Sequence, residues 1–184
     1  MVKSGRAITA VVFDMDGTLV STQPLIEYCV NKTSQKYLNR TLPAEDRFWR
    51  SRPPARNIIK TFSGTLPASP THRAIDDYHS CYREHLRDKA ILFQEIPRLL
   101  LDLRASGRRL SVVTTEETSL MNYCLEAFRL RDSFDAVIGG DDVLNVKPDP
   151  QGILLALERM GISASESMMV GDSTADMLAE RGRA

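Results

Sequence analysis

Asp14 and Asp16 stand one residue apart at the end of an apolar run, VVFDMDGTLV (residues 11–20), with Gly17 directly after them. Two carboxylates so placed repel each other at the mouth of a sheet unless a positive charge lies between them, so the pair demands a partner from elsewhere in the chain. Three further segments supply candidates: SVVTT with Thr114 and Thr115, VKPDP with Lys147, and GDSTAD with Asp172 and Asp176. Carboxylates beside a single lysine suit a hard divalent cation such as Mg²⁺, which takes oxygen ligands and prefers to share its shell with phosphate. Threonine hydroxyls, backbone N–H groups and the lysine ammonium form a natural cradle for phosphate oxygens. One carboxylate is then left to attack phosphorus and form an aspartyl-phosphate.

Each segment taken singly has an ordinary explanation. Asp-x-Asp-Gly is often a turn or a helix cap, Thr114 ends a strand, Lys147-Pro148 is a loop, and Asp172 with Ser173 caps a helix. Their common position carries the argument. Short β-branched runs at 7–13, 109–114, 135–139 and 167–171 alternate with helical patterns at 95–106, 117–128 and 150–160, the signature of a parallel sheet covered by helices. The last of these helices opens at Asp149-Pro150 and closes at Gly161. Every candidate group then falls at or just beyond the C-terminal end of a strand, where ligands of open parallel sheets collect. Between Leu19 and about Lys89 no comparable strand appears. Helical patterns near 23–38, 54–62 and 71–88, separated by proline-rich turns, make that stretch a helical insertion.

Composition narrows the class. The 184 residues, 42% hydrophobic, are enough for one domain with a smaller inserted module. Lys plus Arg and Asp plus Glu are equal at 24 each, which argues against a nucleic-acid or anionic-membrane partner. Cys29, Cys81 and Cys124 are few and far apart, and the expectation is reduced thiols in a cytoplasmic protein. The basic N-terminus meets Asp14 before an export-signal core forms, and no segment has membrane-spanning length. His72, His79 and Cys81 share one helical pattern, for which packing or surface exposure is the expectation. Phe48 and Trp49 belong with the insertion's own core, and Arg52, Arg56 and Lys60 with a solvated face. Glu116 and Glu117 read as first-turn acids of a helix.

DMDGTLV, SVVTT, VKPDP and MMVGDSTAD resemble, in order, the four motifs of the haloacid dehalogenase-like hydrolase superfamily. The resemblance implies a Rossmann-like α/β core formed by 1–19 and 89–184, with 20–88 as a helical cap of the first type. It implies Asp14 as the nucleophile and Asp16 as the acid and base that serves the leaving oxygen and then the water. Thr114 and Thr115 would bind the phosphoryl group, and Lys147 would hold both it and the nucleophile. Asp14, the backbone carbonyl of Asp16, and Asp172 would hold Mg²⁺, with Asp176 in support. An acid at position 16 favours phosphate esters over carbon–halogen bonds. VSTQPLIEY resembles VDSEPLIE of sugar-phosphate and phosphoglycolate phosphatases, with Ser21 where an acid is common. Family members ordinarily continue past the fourth motif, so a C-terminal strand is expected to be missing and SMMV to form an apolar edge. The expected function is hydrolysis of a small phosphorylated metabolite, with a phosphomutase or a non-hydrolytic phospho-receiver as alternatives. The substrate and the oligomeric state are left open.

Overall fold

The computed structural model describes residues 7–39, 41, 57, 59 and 68–183. The chain divides into two compact units, Met1–Ser21 with Leu92–Ala184, and Thr22–Ile91. In the first unit, strands β1 (Ala10–Phe13), β4 (Arg109–Val113), β5 (Ala136–Ile138) and β6 (Ser167–Val170) form a four-stranded sheet in the order β5-β4-β1-β6. Every pairing is parallel. β1 is buried along its whole length because helices cover both faces of a parallel sheet, which explains an unbroken apolar run where a half-exposed strand would alternate.

One face of the sheet packs Ala10, Val12, Val113 and Ile138 against Ile153, Ala156, Leu157 and Met160 of helix α5 (Gln151–Met160). Gly152 permits the close approach, since a Cβ there would stand 2.8 Å from Val113 Cγ1. The helix ends at Gly161, whose φ of 67° lies in the left-handed region that glycine adopts without strain. Helices α3 (Ile96–Ala105) and α4 (Thr118–Ala127) bury Leu100, Leu120, Met121, Cys124 and Leu125, and Phe13 meets Phe134 edge-on, ring centroids 6.3 Å apart. Glu116 and Glu117 precede α4 instead of forming its first turn; Glu117 is the N-cap residue, and its N–H donates to Glu116 Oε1 at 3.0 Å. Helix α6 (Thr174–Gly182) follows β6, which lies at one edge of the sheet. No described helix is long and apolar enough to cross a membrane.

The second unit contains helices α1 (Gln23–Leu38) and α2 (Ala68–Lys89), which pack on each other. Two departures from the sequence reading occur near here. A strand of two residues, β2 (Val20–Ser21), pairs with β3 (Ile91–Leu92); segments so short leave no periodicity to detect. The thiols of Cys29 and Cys81 are not both free, because they are joined in a disulfide between α1 and α2. Widely spaced cysteines in a sequence carry no information about which helices will bring them together. The expectations for Phe48, Trp49, Arg52, Arg56 and Lys60, and most of the helix expected at 54–62, lie outside the described residues.

Candidate active site

β1 hands its last ladder bond to the site. Asp14 N–H donates to Val170 O at 2.9 Å, so the carboxylate leaves the sheet between β4 and β6 in a position set by the backbone. The chain then turns sharply: Gly17, at φ 87°, donates its N–H to Val20 O at 2.8 Å, and the N–H groups of Leu19 and Val20 return to Met15 O at 2.9 and 3.1 Å. Asp16 is thereby carried beside the end of β4. Thr114 Oγ1 donates to Asp16 Oδ2 at 3.1 Å and accepts from the Glu116 N–H at the same distance.

Lys147 arrives on the loop after β5, ahead of a cis peptide bond to Pro148. All three of its ammonium hydrogens have acceptors. Nζ lies 2.7 Å from Asp14 Oδ1, 2.6 Å from Asp176 Oδ1 and 2.9 Å from Val113 O. Asp176, 1% exposed, gives its other oxygen to Ser173, accepting from the N–H at 3.0 Å and the hydroxyl at 2.5 Å. That pair is also the capping box of α6, so the same residues both cap a helix and orient a buried charge. Gly171 leaves the room they need, for a Cβ there would lie 2.4 Å from Asp176 Cγ.

One carboxylate oxygen from each of Asp14, Asp172 and Asp176 lies within 4.8 Å of the other two; Asp172 is exposed and its two neighbours are buried. The donors are all oxygen and carry more negative charge than Lys147 cancels, a set that fits a hard divalent cation. The carboxylate of Asp16 stands apart from this trio, turned to Thr114. Burial pushes the Asp14 carboxyl up to about 7, with Asp176 and Asp16 adding to the rise and Lys147 opposing it. Burial also works against the Lys147 charge, but Asp14 and Asp176 outweigh it and hold the ammonium above its ordinary range.

Asp14, Asp16, Thr114, Lys147, Asp172 and Asp176 therefore come together from positions far apart in sequence. Thr115, next to Thr114 in the chain, is half-buried, with its carbonyl against Gly140. Sequence reasoning assigned no site role to Ser173, although the Ser-x-x-Asp spacing to Asp176 marks a capping box. The carbonyl of Val113 left no signal at all, since any residue type supplies one.

Comparison with known proteins places this geometry. The family profile described as haloacid dehalogenase-like hydrolase matches residues 11–182. The chain belongs to this family. Among its relatives, pyrophosphatase PpaX of Bacillus velezensis (strain DSM 23117 / BGSC 10A6 / LMG 26770 / FZB42) is 33% identical over 174 residues, covering 95% of this chain and 79% of the relative. The phosphoglycolate phosphatase of Escherichia coli O157:H7 is 32% identical over 199 residues, covering 95% and 77%. The crystal structure of CbbY from Rhodobacter sphaeroides in complex with phosphate superposes with a TM-score of 0.83 at 25% identity, covering 96% of this chain and 83% of that one. As a family member, the chain has the α/β core with a parallel sheet that its hydrolase relatives share.

Proposed function

We propose that this chain is a Mg²⁺-dependent phosphoric monoester hydrolase that carries the phosphoryl group on Asp14. The observation behind the reading is the Lys147 ammonium bridging Asp14 and Asp176, with Asp172 beside them. It puts a charge-neutralised carboxylate next to a set of oxygen donors at the end of the sheet. Asp14 Oδ attacks phosphorus, the bond to the leaving oxygen breaks, and Asp16 gives that oxygen a proton. Asp16 then takes a proton from water as the water attacks the aspartyl-phosphate, releasing inorganic phosphate and restoring Asp14. Such acid and base assistance is commonly worth roughly 10²- to 10⁴-fold. Thr114 is already hydrogen-bonded to Asp16; in the proposed complex its hydroxyl and Thr115 hold phosphoryl oxygens, and Lys147 reduces the repulsion between the dianion and the nucleophile. Asp14, Asp172 and the backbone carbonyl of Asp16, with Asp176 in support, would hold Mg²⁺, which would supply positive charge to the phosphoryl oxygens.

The proposed substrate is a small phosphorylated metabolite handled in the cytoplasm, with the inserted helical unit as the lid that selects it. Relatives named as pyrophosphatase and phosphoglycolate phosphatase define the panel to test: pyrophosphate, phosphoglycolate and sugar phosphates. Phosphate release is measured with Mg²⁺, with EDTA and with Asp14→Asn. Release that requires both Mg²⁺ and Asp14 is expected. Absence of release from a folded, Mg²⁺-binding chain would overturn the reading, with isomerised sugar phosphate pointing to a mutase and a persistent phospho-aspartate to a receiver.

A further inference from the structure

Cys29 and Cys81 lie in the helical unit, and the proposed hydrolysis gives them no work. Their Cα atoms are 5.6 Å apart across the α1–α2 packing, within the usual range for a disulfide, and 52 positions separate them in sequence. Both are buried, at 0% and 4% exposure. Cys124, in the other unit, is buried and takes no part in a disulfide.

Non-covalent contacts hold the same two helices together around this bond. Asp77 and His85 stand about one helical turn to either side of Cys81. Asp77 Oδ2 accepts from Lys36 Nζ at 2.5 Å and from Tyr37 OH at 2.7 Å. His85 meets the Tyr28 ring edge-on at 4.9 Å, and Lys32 Nζ lies 3.4 Å from its Nε2. Leu25, Val30, Tyr82 and Leu86 are fully buried and Tyr78 is 1% exposed. Non-covalent contacts between the same two helices thus lie to either side of the bond. Contacts that keep two thiols near each other after reduction raise their effective concentration and so favour closing the bond again.

We propose that Cys29–Cys81 is a redox modification site at which thiol–disulfide exchange sets the rigidity of the helical unit. A low-molecular-weight disulfide of the glutathione class is the oxidant. One cysteine thiolate attacks it, releasing one reagent thiol and forming a mixed disulfide; the second cysteine thiolate then displaces the other reagent thiol. Two electrons and two protons pass from the cysteine pair to the reagent, and excess thiol runs the sequence backwards. Because both sulfurs are buried, exchange proceeds through local separation of α1 from α2, so its rate follows that opening.

The test uses the full chain equilibrated with oxidised glutathione or with dithiothreitol. Thiols are counted after denaturation, and amide hydrogen exchange is followed by mass spectrometry. One thiol per chain is expected in the oxidised protein and three in the reduced. Reduction should speed exchange in α1 and α2 by roughly tenfold or more, while β1 and β4 stay as protected as before. Cys81→Ser should match the reduced protein in both buffers; if that variant does not fold, the reduced wild-type chain carries the comparison. Three thiols after oxidation, equal exchange in the two states, or loss of sheet protection on reduction would each overturn the proposal.

Discussion

At the scale of single residues, Lys147 decides whether the buried acids are tolerable. With 8% of its surface exposed it satisfies two carboxylates and a carbonyl at once. Removing one member of a buried charged cluster leaves uncompensated charge, commonly at a cost of about 3–5 kcal/mol, whereas an exposed pair such as Arg98–Asp102 is worth well under about 1 kcal/mol. Lys147→Met is therefore expected to lower stability to urea by that larger amount and to bring phosphate release below detection. Arg98→Met is the control that changes neither. A Lys147→Met chain as stable as wild type would show that Asp14 and Asp176 are not both ionised in the fold.

At the scale of elements, the sheet contains one apparent misfit. Ser111 is fully buried in the middle of β4, paired with Val12 and Ala136, and its hydroxyl has no hydrogen-bond partner. A hydroxyl taken out of water without compensation costs about 1–3 kcal/mol, and alanine keeps the Cβ while removing the liability. Ser111→Ala is expected to gain about 1 kcal/mol, seen as a rise of about 2–4 °C in Tm; a fall would mean that the oxygen fills space whose loss outweighs its desolvation. Ser111 also shows how far a sequence speaks at this scale. RLSVVT reads as a strand through its β-branched residues, yet nothing in it says that the serine points into the core. β1, α5 and its Gly161 stop were legible because long apolar periods and a left-handed cap are local signals. The order of Asp14, Thr114, Lys147 and Asp172 was legible because strand ends in a parallel sheet share a rim. The bond from Thr114 to Asp16, the double use of Asp176 and the pairing of Cys29 with Cys81 were not, since each depends on packing between segments distant in the chain.

At the scale of the whole molecule, 24 acidic and 24 basic residues balance, so the pH response is not governed by gross charge and local imbalance stands out. The sharpest imbalance is the buried pair of carboxylates served by one ammonium. Asp14 titrates at an ordinary value of 3.8 when exposed and at about 7 in the folded chain, chiefly because of burial. Between those values the folded chain binds a proton that the unfolded chain has released, so stability contributed here falls as pH rises through the window and levels off above it. Lys147 has the opposite sign: held above its ordinary range, it adds stability that is lost only in strongly alkaline solution, so it does not offset the fall. In the proposed Mg²⁺ complex, ligation by the ionised carboxylates of Asp14 and Asp172 would favour the folded chain increasingly as pH rises, which would work against the decline. In EDTA, urea unfolding between pH 5 and pH 8 should therefore show a loss on the order of 2 kcal/mol that Asp14→Asn lacks, and millimolar Mg²⁺ should shrink the loss in the wild-type chain alone. Identical pH profiles for wild type and Asp14→Asn in EDTA would mean that Asp14 is not the strained acid of the fold. An Asp14→Asn chain that is inactive yet more stable than wild type at pH 8 would show that the chain gives up stability to keep a buried nucleophile ready.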